Sequence, residues 1–427
     1  MQDDFAIWES VYDTQAGPQT GQSAPDGLER SVKIVDVETF PVGAGWKNWL
    51  FVRVLTDEGL HGVGEATLNG FTRTCETAVH ELKALVTGTD PRRIRANSAA
   101  LYQRVSNEGG HVHRAVIAGI EEACWDILGK SLGVPVYQLF GGPVRDTVDC
   151  YANGWYRTER SPEAFARAAR AAAGQGFKAL KFDPLGTAQG FLAPGELAAT
   201  RDIIAAVRDA TGPGARLMID LHARLAPAEA VALIEACSDL DVFWWEEPTT
   251  RQREEPTADV AARTTGRVAT GENCHTVGQF LTLAKAGGIS IYQPEPMSLG
   301  GLLPTAAVAD IAAADGAWIA PHQSGGPVAT AVCLQLAAFV PNFLIQEYFD
   351  PFNEPWTHSL VSWTPVLDRQ TGQLSLPDGP GLGVDLDLDV ARAHPYDPHA
   401  YLDVTAAGWE RRLGHPAAGR QHNGGGR

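Results

Sequence analysis

Leu217-Met218-Ile219-Asp220-Leu221-His222 is a short apolar run that ends in a carboxylate and an imidazole. The run has the length and composition of a buried β-strand. Because side chains alternate between the two faces of a strand, Asp220 and His222 are expected to point the same way. Two polar groups at the end of a buried strand pack poorly, so they indicate a functional site.

Two further strand-like runs end in acids at a regular interval. Phe243-Trp244-Trp245 leads into Glu246, and Val268-Ala269-Thr270-Gly271 leads into Glu272. The intervals from Asp220 to Glu246 and from Glu246 to Glu272 are both 26 residues, which suits one strand, one helix and two short loops. Acids that end successive strands of a parallel barrel are expected to converge on one point.

The alternation of strand and helix extends over much of the chain. Strand-like runs begin at Asp149, Ala179, Leu217, Phe243, Val268, Ile289, Trp318 and Phe343. Eight such strands predict an α/β fold with a (β/α)8-type, TIM-like barrel over residues 149–362. The catalytic groups of such a barrel lie at the C-terminal ends of its strands, where these acids fall.

The rest of the chain predicts a smaller α+β domain over residues 32–148. Its three strand-like runs are followed by three helical ones, at 32–37, 50–54, 61–65, 72–86, 94–105 and 113–132. A turn-rich tail, residues 363–410, is expected to return to this domain and pair there. Residues 1–31 predict a mobile N-terminal arm, and residues 411–427 a disordered tail.

Composition excludes several classes of partner. The net charge is −17 and no run of Lys or Arg supplies the basic footprint of a nucleic-acid binder. No apolar run approaches the roughly 20 residues of a membrane span, and the N-terminus carries acids where a signal peptide has basic residues. Six cysteines without CxxC spacing fit a reducing cytoplasm.

The three strand-end acids predict a metal site. Carboxylates with little nitrogen or sulfur nearby favour a hard cation, Mg²⁺ above Zn²⁺. Glu246 and Glu247 are adjacent and face apart, so on this reasoning either one is a candidate ligand. Acids also commonly begin the helices that follow strands, but three of them at an even spacing make helix capping the weaker interpretation.

Other polar residues follow the remaining strands. His322 comes just past the seventh strand, and Glu295 ends the sixth, where it is placed to hydrogen-bond His322 and raise its basicity. Glu347 ends the eighth strand, and either a site or a surface role fits it. Lys181 and Asp183 end the second strand and lie on a common face. Asn273 and His275 follow Glu272, and either a site or a loop role fits them. His111 and His113 lie in the first domain and are interpreted as structural.

This set of groups suits one kind of chemistry. Removing a proton next to a carboxylate builds up negative charge, which a divalent cation stabilises. One imidazole takes that proton, and the other protonates a hydroxyl that leaves the neighbouring carbon. The reaction is β-elimination of water.

The chain resembles the enolase superfamily, mandelate racemase subgroup, over residues 32–386. The resemblance lies in the Asp220 strand, Glu246-Glu247-Pro248, Gly271-Glu272 and the strand end at His322, in order and spacing. It implies Asp220, Glu246 and Glu272 as the metal ligands, which selects Glu246 over Glu247. It also implies that the first domain caps the barrel mouth.

Within the subgroup the chain is most similar to the gluconate and galactonate dehydratases. The similarity rests on Asp220-Leu221-His222, on Tyr151-Ala152-Asn153-Gly154-Trp155-Tyr156 and on Gly176 to Pro184. It implies that His322 takes the C2 proton, oriented by Glu295, and that His222 expels the C3 hydroxyl. Substrate contacts are expected for five residues: Lys181, Asp183, Glu347, Asn153 and Trp46.

One position differs from the racemase-type branch of the subgroup, and two differ from the family pattern. The racemase-type Lys-x-Lys on the second strand has Asp183 as its second member, which argues against a lysine-based racemase. Glu295 stands where the dyad acid is usually Asp, and Asn273 stands where Arg commonly follows the Gly-Glu ligand.

The sequence therefore predicts a cytoplasmic, homo-oligomeric, Mg²⁺-dependent dehydratase of acid sugars such as gluconate or galactonate. The product is a 2-keto-3-deoxy acid. One alternative is an epimerase, racemase or cycloisomerase of the same superfamily acting on a sugar acid or lactone. A second is a non-catalytic sugar-acid binding protein that keeps the metal site.

Overall fold

The computed structural model describes residues 32–250 and 252–411. The predicted arm, 1–31, and the predicted disordered tail, apart from Arg411, lie outside the described residues. Among residues 32–250 and 252–411, no helix is long and apolar enough to cross a membrane.

The first part of the chain is a three-stranded antiparallel sheet covered by helices. Its elements are β1 (Ile34–Gly43), β2 (Asn48–Thr56), β3 (His61–Glu65), α1 (Thr72–Leu82), α2 (Ile94–Gln103) and α3 (Gly110–Leu132). Helix α3 packs directly on β3, since a Cβ at Gly62 or Gly64 would lie 2.0 or 2.1 Å from a carbonyl oxygen of α3. Glycine at both positions therefore allows β3 and α3 to pack this closely.

The second part alternates strand and helix. Its elements in order are β4 (Thr147–Ala152), α4 (Pro162–Gly174), β5 (Ala179–Phe182), α5 (Glu196–Thr211), β6 (Arg216–Asp220), α6 (Pro227–Ala236), β7 (Val242–Glu246), α7 (Glu255–Arg263), β8 (Val268–Thr270), α8 (Val277–Ala286), β9 (Ile291–Tyr292), α9 (Pro296–Leu299), α10 (Leu302–Ala314), β10 (Trp318–Ile319), α11 (Pro327–Phe339) and β11 (Gln346–Tyr348). Short 3₁₀ segments lie at Lys83–Leu85, Val136–Phe140, Asp350–Phe352, Pro355–Leu360 and Trp409–Arg411.

Strands β4 to β10 pair in parallel in chain order, and β11 pairs with β4. Between β10 and the segment that leads into β11 the described residues form a single bridge, Ile319 to Phe343, rather than a ladder. The predicted (β/α)8-type architecture is confirmed. The eighth strand begins at Gln346 rather than at Phe343, because Phe343 makes only that bridge.

The strands fill the barrel with one apolar layer, and the functional layer lies above it. The apolar cluster comprises Tyr151, Ala179, Met218, Trp244, Ala269, Ile291, Ala320 and Ile345. Two residues further along each segment, on the same face of the strand, come Asn153, Lys181, Asp220, Glu246, Gly271, Gln293, His322 and Glu347. The period of the strand thus places polar groups together at the C-terminal rim.

Buried acids of the first part cap helices of the barrel. Glu65 accepts hydrogen bonds from the backbone of Gly326 and Ala329 at the start of α11, at 2.6 and 2.9 Å. Glu121 accepts from Leu302 and Leu303 at the start of α10, at 2.9 and 3.1 Å. A carboxylate at a helix N-terminus satisfies otherwise unpaired N–H groups. These bonds fix the first part of the chain against the barrel.

The tail contacts both parts. Strands β12 (Leu367–Asp368) and β13 (Gln373–Ser375) form a hairpin that adds to β4 rather than to the first sheet. Beyond it, helix α12 (Leu388–Ala393) leads to Pro395, which bridges to Val42 of β1. The tail's strand pairing therefore extends the barrel sheet, while its last segment reaches the first domain.

Asp385 links the tail to the first domain by ion pairs. We expect Asp385→Asn to lower the free energy of unfolding by an amount that depends on pH. The carboxylate contacts Lys130 Nζ at 2.6 Å and His61 Nε2 at 3.2 Å. Partial burial alone would raise its pKa, but these hydrogen bonds outweigh burial and lower the pKa from 3.8 to about 2. Because half of the side chain is exposed, we expect a loss of only about 1 kcal/mol of unfolding free energy.

The pKa of Asp385 is lower in the folded protein than in the unfolded chain, so the ionised carboxylate stabilises the fold. The stabilisation is fully present above pH 3.8 and is lost as the pH falls through about 2. Urea unfolding of wild type and Asp385→Asn should therefore differ at pH 7 and converge toward pH 2. A difference that is unchanged over this range would show that the ion pairs are not its source.

Candidate active site

A cavity of about 640 Å³ opens at the C-terminal ends of the barrel strands. The barrel contributes Asp220, His222, Glu272, Glu295 and His322 to its walls. The first domain and the tail contribute the opposite wall, through residues 46–47, 67–69, 71, 109, 111–112 and 401–405. The cavity is therefore enclosed by both domains, as the predicted cap requires.

The three acids predicted as metal ligands lie together: Asp220 and Glu272 line the cavity, and Glu246 is buried beneath its lining. One carboxylate oxygen from each of Asp220, Glu246 and Glu272 lies within 4.8 Å of the other two. Asp220 and Glu246 end adjacent strands and are paired in register, while Glu272 follows β8 by two residues. Three carboxylates without nitrogen or sulfur ligands form a donor set that fits a hard divalent cation such as Mg²⁺.

Glu247 faces away from this cluster. Its backbone φ is 41°, in the left-handed region, and the turn carries its side chain to Thr270 Oγ1 and the Gly271 N–H, both at 2.8 Å. Asn273 also donates to it, at 3.2 Å. The geometry thus distinguishes the two neighbouring glutamates, and only Glu246 joins the acid cluster.

Lys181 lies among the acids rather than at the cavity surface. Its ammonium hydrogen-bonds Glu246 and lies 3.3 Å from Asp220 and 2.9 Å from Glu347. Burial would lower the pKa of Lys181, but the carboxylates of Glu246 and Glu347 outweigh it and raise the pKa. Lys181 is therefore a fixed cation that balances part of the negative charge of the cluster.

Three residues predicted to contact substrate are placed differently. Lys181, Asp183 and Glu347 are at most 1% exposed and lie beneath the cavity lining. Glu347 accepts hydrogen bonds from Asn153 Nδ2 and the Gln323 N–H, both at 2.7 Å. Because their polar atoms are occupied by protein partners, we reinterpret all three as residues that hold other site groups in place.

His222 reaches the cavity for a different reason from the predicted one. Strand β6 ends at Asp220, and His222 has a left-handed φ of 47°. Its N–H donates to Asp220 Oδ1 at 2.9 Å, and its Nδ1 lies 2.6 Å from Asp183 Oδ2. The position of His222 beside Asp220 therefore comes from a tight turn, in which the His222 N–H bonds to the Asp220 carboxylate, and not from strand alternation.

His322 lies between two acids. Nδ1 is 3.2 Å from Glu295, and Nε2 is 3.4 Å from Glu272. Burial would lower the pKa of His322, but the fields of Glu272, Glu295 and Glu347 outweigh it and raise the pKa to about 10. Burial would raise the pKa of Glu295, but His322 outweighs it and lowers the pKa. A cation at the acid cluster would offset the field that holds His322 protonated.

The two histidines face the cavity from opposite sides. His222 follows the third strand of the barrel and His322 the seventh. Strands four positions apart in an eight-stranded barrel lie across from each other. A molecule bound over the acid cluster would thus have an imidazole on each face.

Of the other predicted substrate contacts, Trp46 and Asn153 do line the cavity. Trp46 stacks on Phe349 with ring centroids 5.6 Å apart and donates to Asn353 Oδ1 at 3.1 Å. Asn273, left open between a site and a loop role, also lines the cavity and bridges Glu247 and Glu272.

Two further residues of the first domain, Lys47 and His111, line the cavity wall. Lys47 is almost fully buried and donates to Ser324 at 2.9 Å. His111, interpreted as structural, lines the cavity and lies 3.0 Å from the carbonyl oxygen of Asn273. By contrast, His113 bonds to the Leu101 carbonyl at 2.9 Å within the first domain. The helical pattern around residue 111 carried no signal that this helix end faces the barrel.

The fold and the site define an enzyme of the enolase superfamily. Residues 35–141 match the mandelate racemase/muconate lactonizing enzyme N-terminal domain, and residues 164–390 match the enolase C-terminal domain-like family. Within the superfamily the chain belongs to the mandelate racemase subgroup, as its sequence motifs imply.

Known proteins resemble the chain over most of its length. A D-xylonate dehydratase from Haloferax volcanii is 33% identical, covering 89% of this chain and 93% of that protein. A D-galactonate dehydratase from Ralstonia nicotianae is 34% identical over 79% and 89%. The crystal structure of a mandelate racemase/muconate lactonizing enzyme from Jannaschia sp. CCS1 is 32% identical, with a TM-score of 0.79 over 86% of this chain and 98% of that one.

Proposed function

We propose that the enzyme is a Mg²⁺-dependent dehydratase of acid sugars, acting on aldonates of the gluconate, galactonate or xylonate type. The observation that carries this proposal is the pair of histidines on opposite strands that face one cavity over a cluster of three acids. Elimination of water needs one group to accept a proton and a second to deliver one, and the two imidazoles are placed for these tasks.

In the proposed reaction His322 Nε2 takes the proton from C2 of the substrate. The C2–H electron pair moves toward the carboxylate, and then forms the C2–C3 double bond as the C3–O bond breaks. His222 gives its Nε2 proton to the departing hydroxyl, so that water leaves. The resulting enol takes up a proton at C3 and releases the proton of its C2 hydroxyl to solvent, which gives a 2-keto-3-deoxy acid.

Asp220, Glu246 and Glu272 would hold the Mg²⁺ ion. When bound, the ion supplies positive charge that stabilises the negative charge developing on the substrate carboxylate. The chain's own contribution is to orient the acids through Lys181 and Glu347, and to enclose the substrate beneath the first domain.

Aldonates are supported as substrates by the cavity and by the relatives. The wall offers short polar groups suited to sugar hydroxyls, among them Thr67, Asn69, Ser298, Ser324 and Thr405. Two relatives that cover most of the chain are named D-xylonate and D-galactonate dehydratase. The cytoplasmic location and the homo-oligomeric assembly stay predictions; the six cysteines, all free and buried, fit the first of them.

A screen of acid sugars tests the proposal. The enzyme would be incubated with Mg²⁺, a panel of aldonates of five and six carbons, and semicarbazide to trap a 2-keto product. We expect at least one aldonate to give a keto acid, and chelation of Mg²⁺ to stop the reaction. Inversion at C2 without a keto acid would instead indicate an epimerase, and binding without turnover or deuterium incorporation at C2 would indicate a binding protein.

A further inference from the structure

We propose that Asp183 is the positioning residue of His222, so that each histidine of the site is oriented by its own buried acid. The role in elimination rests on the proposed function, while the orientation itself does not. The residue stands where a lysine-based racemase would have its second lysine, and the structure gives it a different task.

Asp183 is fully buried and does not line the cavity. Its Oδ1 accepts the Leu185 N–H at 2.7 Å, and its Oδ2 lies 2.6 Å from His222 Nδ1. The Arg224 guanidinium also donates to Oδ2. A carboxylate held by donors from two separate segments is rigid, and it acts on the substrate only through His222.

His222 needs such a partner because the strand does not fix it. Both His222 and Ala223 have left-handed backbone conformations, with φ of 47° and 55°. Such a conformation is unfavourable for a residue other than glycine and persists only where its surroundings hold it. The Trp409 ring lies edge-on to the imidazole, with centroids 5.5 Å apart. Trp409 and Asp183 together fix the ring plane, and the bond at Nδ1 leaves Nε2 for the cavity.

The arrangement repeats across the barrel. Asp183 directly follows β5 and orients the histidine beyond β6, while Glu295 lies three residues after β9 and pairs with the histidine beyond β10. In both pairs the acid comes from the strand that precedes and neighbours the histidine's strand. Both acids approach Nδ1, Asp183 by a hydrogen bond of 2.6 Å and Glu295 as an ion-pair contact of 3.2 Å, so that Nε2 of each histidine is left to face the cavity.

Asp183→Asn and Glu295→Gln form a matched pair of variants for the kinetic test. With Mg²⁺ and an aldonate that wild type converts, Asp183→Asn is expected to lower kcat for keto acid about 100-fold. It should leave KM within about threefold and keep deuterium exchange at C2. Glu295→Gln is expected to lower that exchange instead. Equal loss of exchange and elimination in Asp183→Asn would overturn the proposal.

Arg224→Gln separates positioning from a general structural role. It removes the other side-chain donor to the same oxygen of Asp183 and leaves the His222 bond. We expect a fall in kcat of less than tenfold. A fall in kcat as large as that of Asp183→Asn would mean that turnover depends on the buried Asp183–Arg224 ion pair as a whole and not on the bond from Asp183 to His222.

The third measurement uses no substrate. In ¹⁵N-histidine-labelled protein, with the His222 signals assigned from His222→Asn, wild type should show an Nδ1 that carries a proton. Asp183→Asn should shift that proton away from Nδ1, in part or fully. An unchanged Nδ1 signal would overturn the proposal, and this result decides it even if no aldonate is turned over and the proposed function fails.

Discussion

His322→Asn is expected to lower exchange of the C2 proton of an aldonate with solvent by at least about 100-fold, the contribution typical of a positioned general base. His322 lines the cavity across from His222, and its Nδ1 is paired with Glu295. Asparagine keeps a polar side chain of similar bulk but cannot accept the proton. The acid cluster is untouched, so Mg²⁺ binding should remain.

Exchange is measured by NMR as loss of the C2–H signal in D₂O with Mg²⁺ present, and Mg²⁺ binding by calorimetry. His358→Asn is the control, since His358 is half exposed, pairs with Asp350 and does not line the cavity. Exchange retained in His322→Asn would remove His322 as the base. Loss of both exchange and Mg²⁺ binding would indicate that the substitution disrupts the cluster instead.

Glu246→Gln is expected to weaken Mg²⁺ binding about 100-fold or more, because it replaces a charged oxygen ligand by a neutral amide. Glu246 is fully buried in the acid cluster. The substitution also leaves Lys181 with one charged partner fewer. Turnover of an aldonate should fall with metal occupancy.

Glu247→Gln is the matched control for this experiment, since it is the same substitution at the next residue. Glu247 bonds to Thr270 and Gly271 and lies outside the cluster, so we expect Mg²⁺ binding to weaken less than tenfold. Titration calorimetry of both variants measures the difference. Equal weakening, or stronger weakening in Glu247→Gln, would contradict the assignment of the ligands.

The barrel and its acid cluster could be predicted from the sequence because strand period and chain spacing determine them. The 26-residue interval repeats one strand–helix unit, so Asp220 and Glu246 end adjacent, paired strands. The two-residue period then places His322 and Glu347 in the same layer as these acids. Such features depend on local geometry, which the order of residues specifies.

Features set by contacts far apart in sequence could not be predicted. Asp183 and Lys181 point into the protein because Arg224, His222 and the acids bind them, and a strand pattern carries no information on such partners. His111 and the tail segment 401–405 reach the cavity only through the packing of the first domain and tail on the barrel. The left-handed turn at His222 likewise arises from its bond to Asp220, so the prediction reached the right place through the wrong geometry.

The division of labour between the two histidines is measured most directly with His222→Asn. In D₂O with Mg²⁺ and an aldonate that wild type dehydrates, NMR follows C2 exchange and keto-acid formation in one sample. We predict that His222→Asn exchanges the C2 proton but forms keto acid at least about 100-fold more slowly than wild type. Keto-acid formation at the wild-type rate, or loss of exchange with Mg²⁺ still bound, would contradict the account.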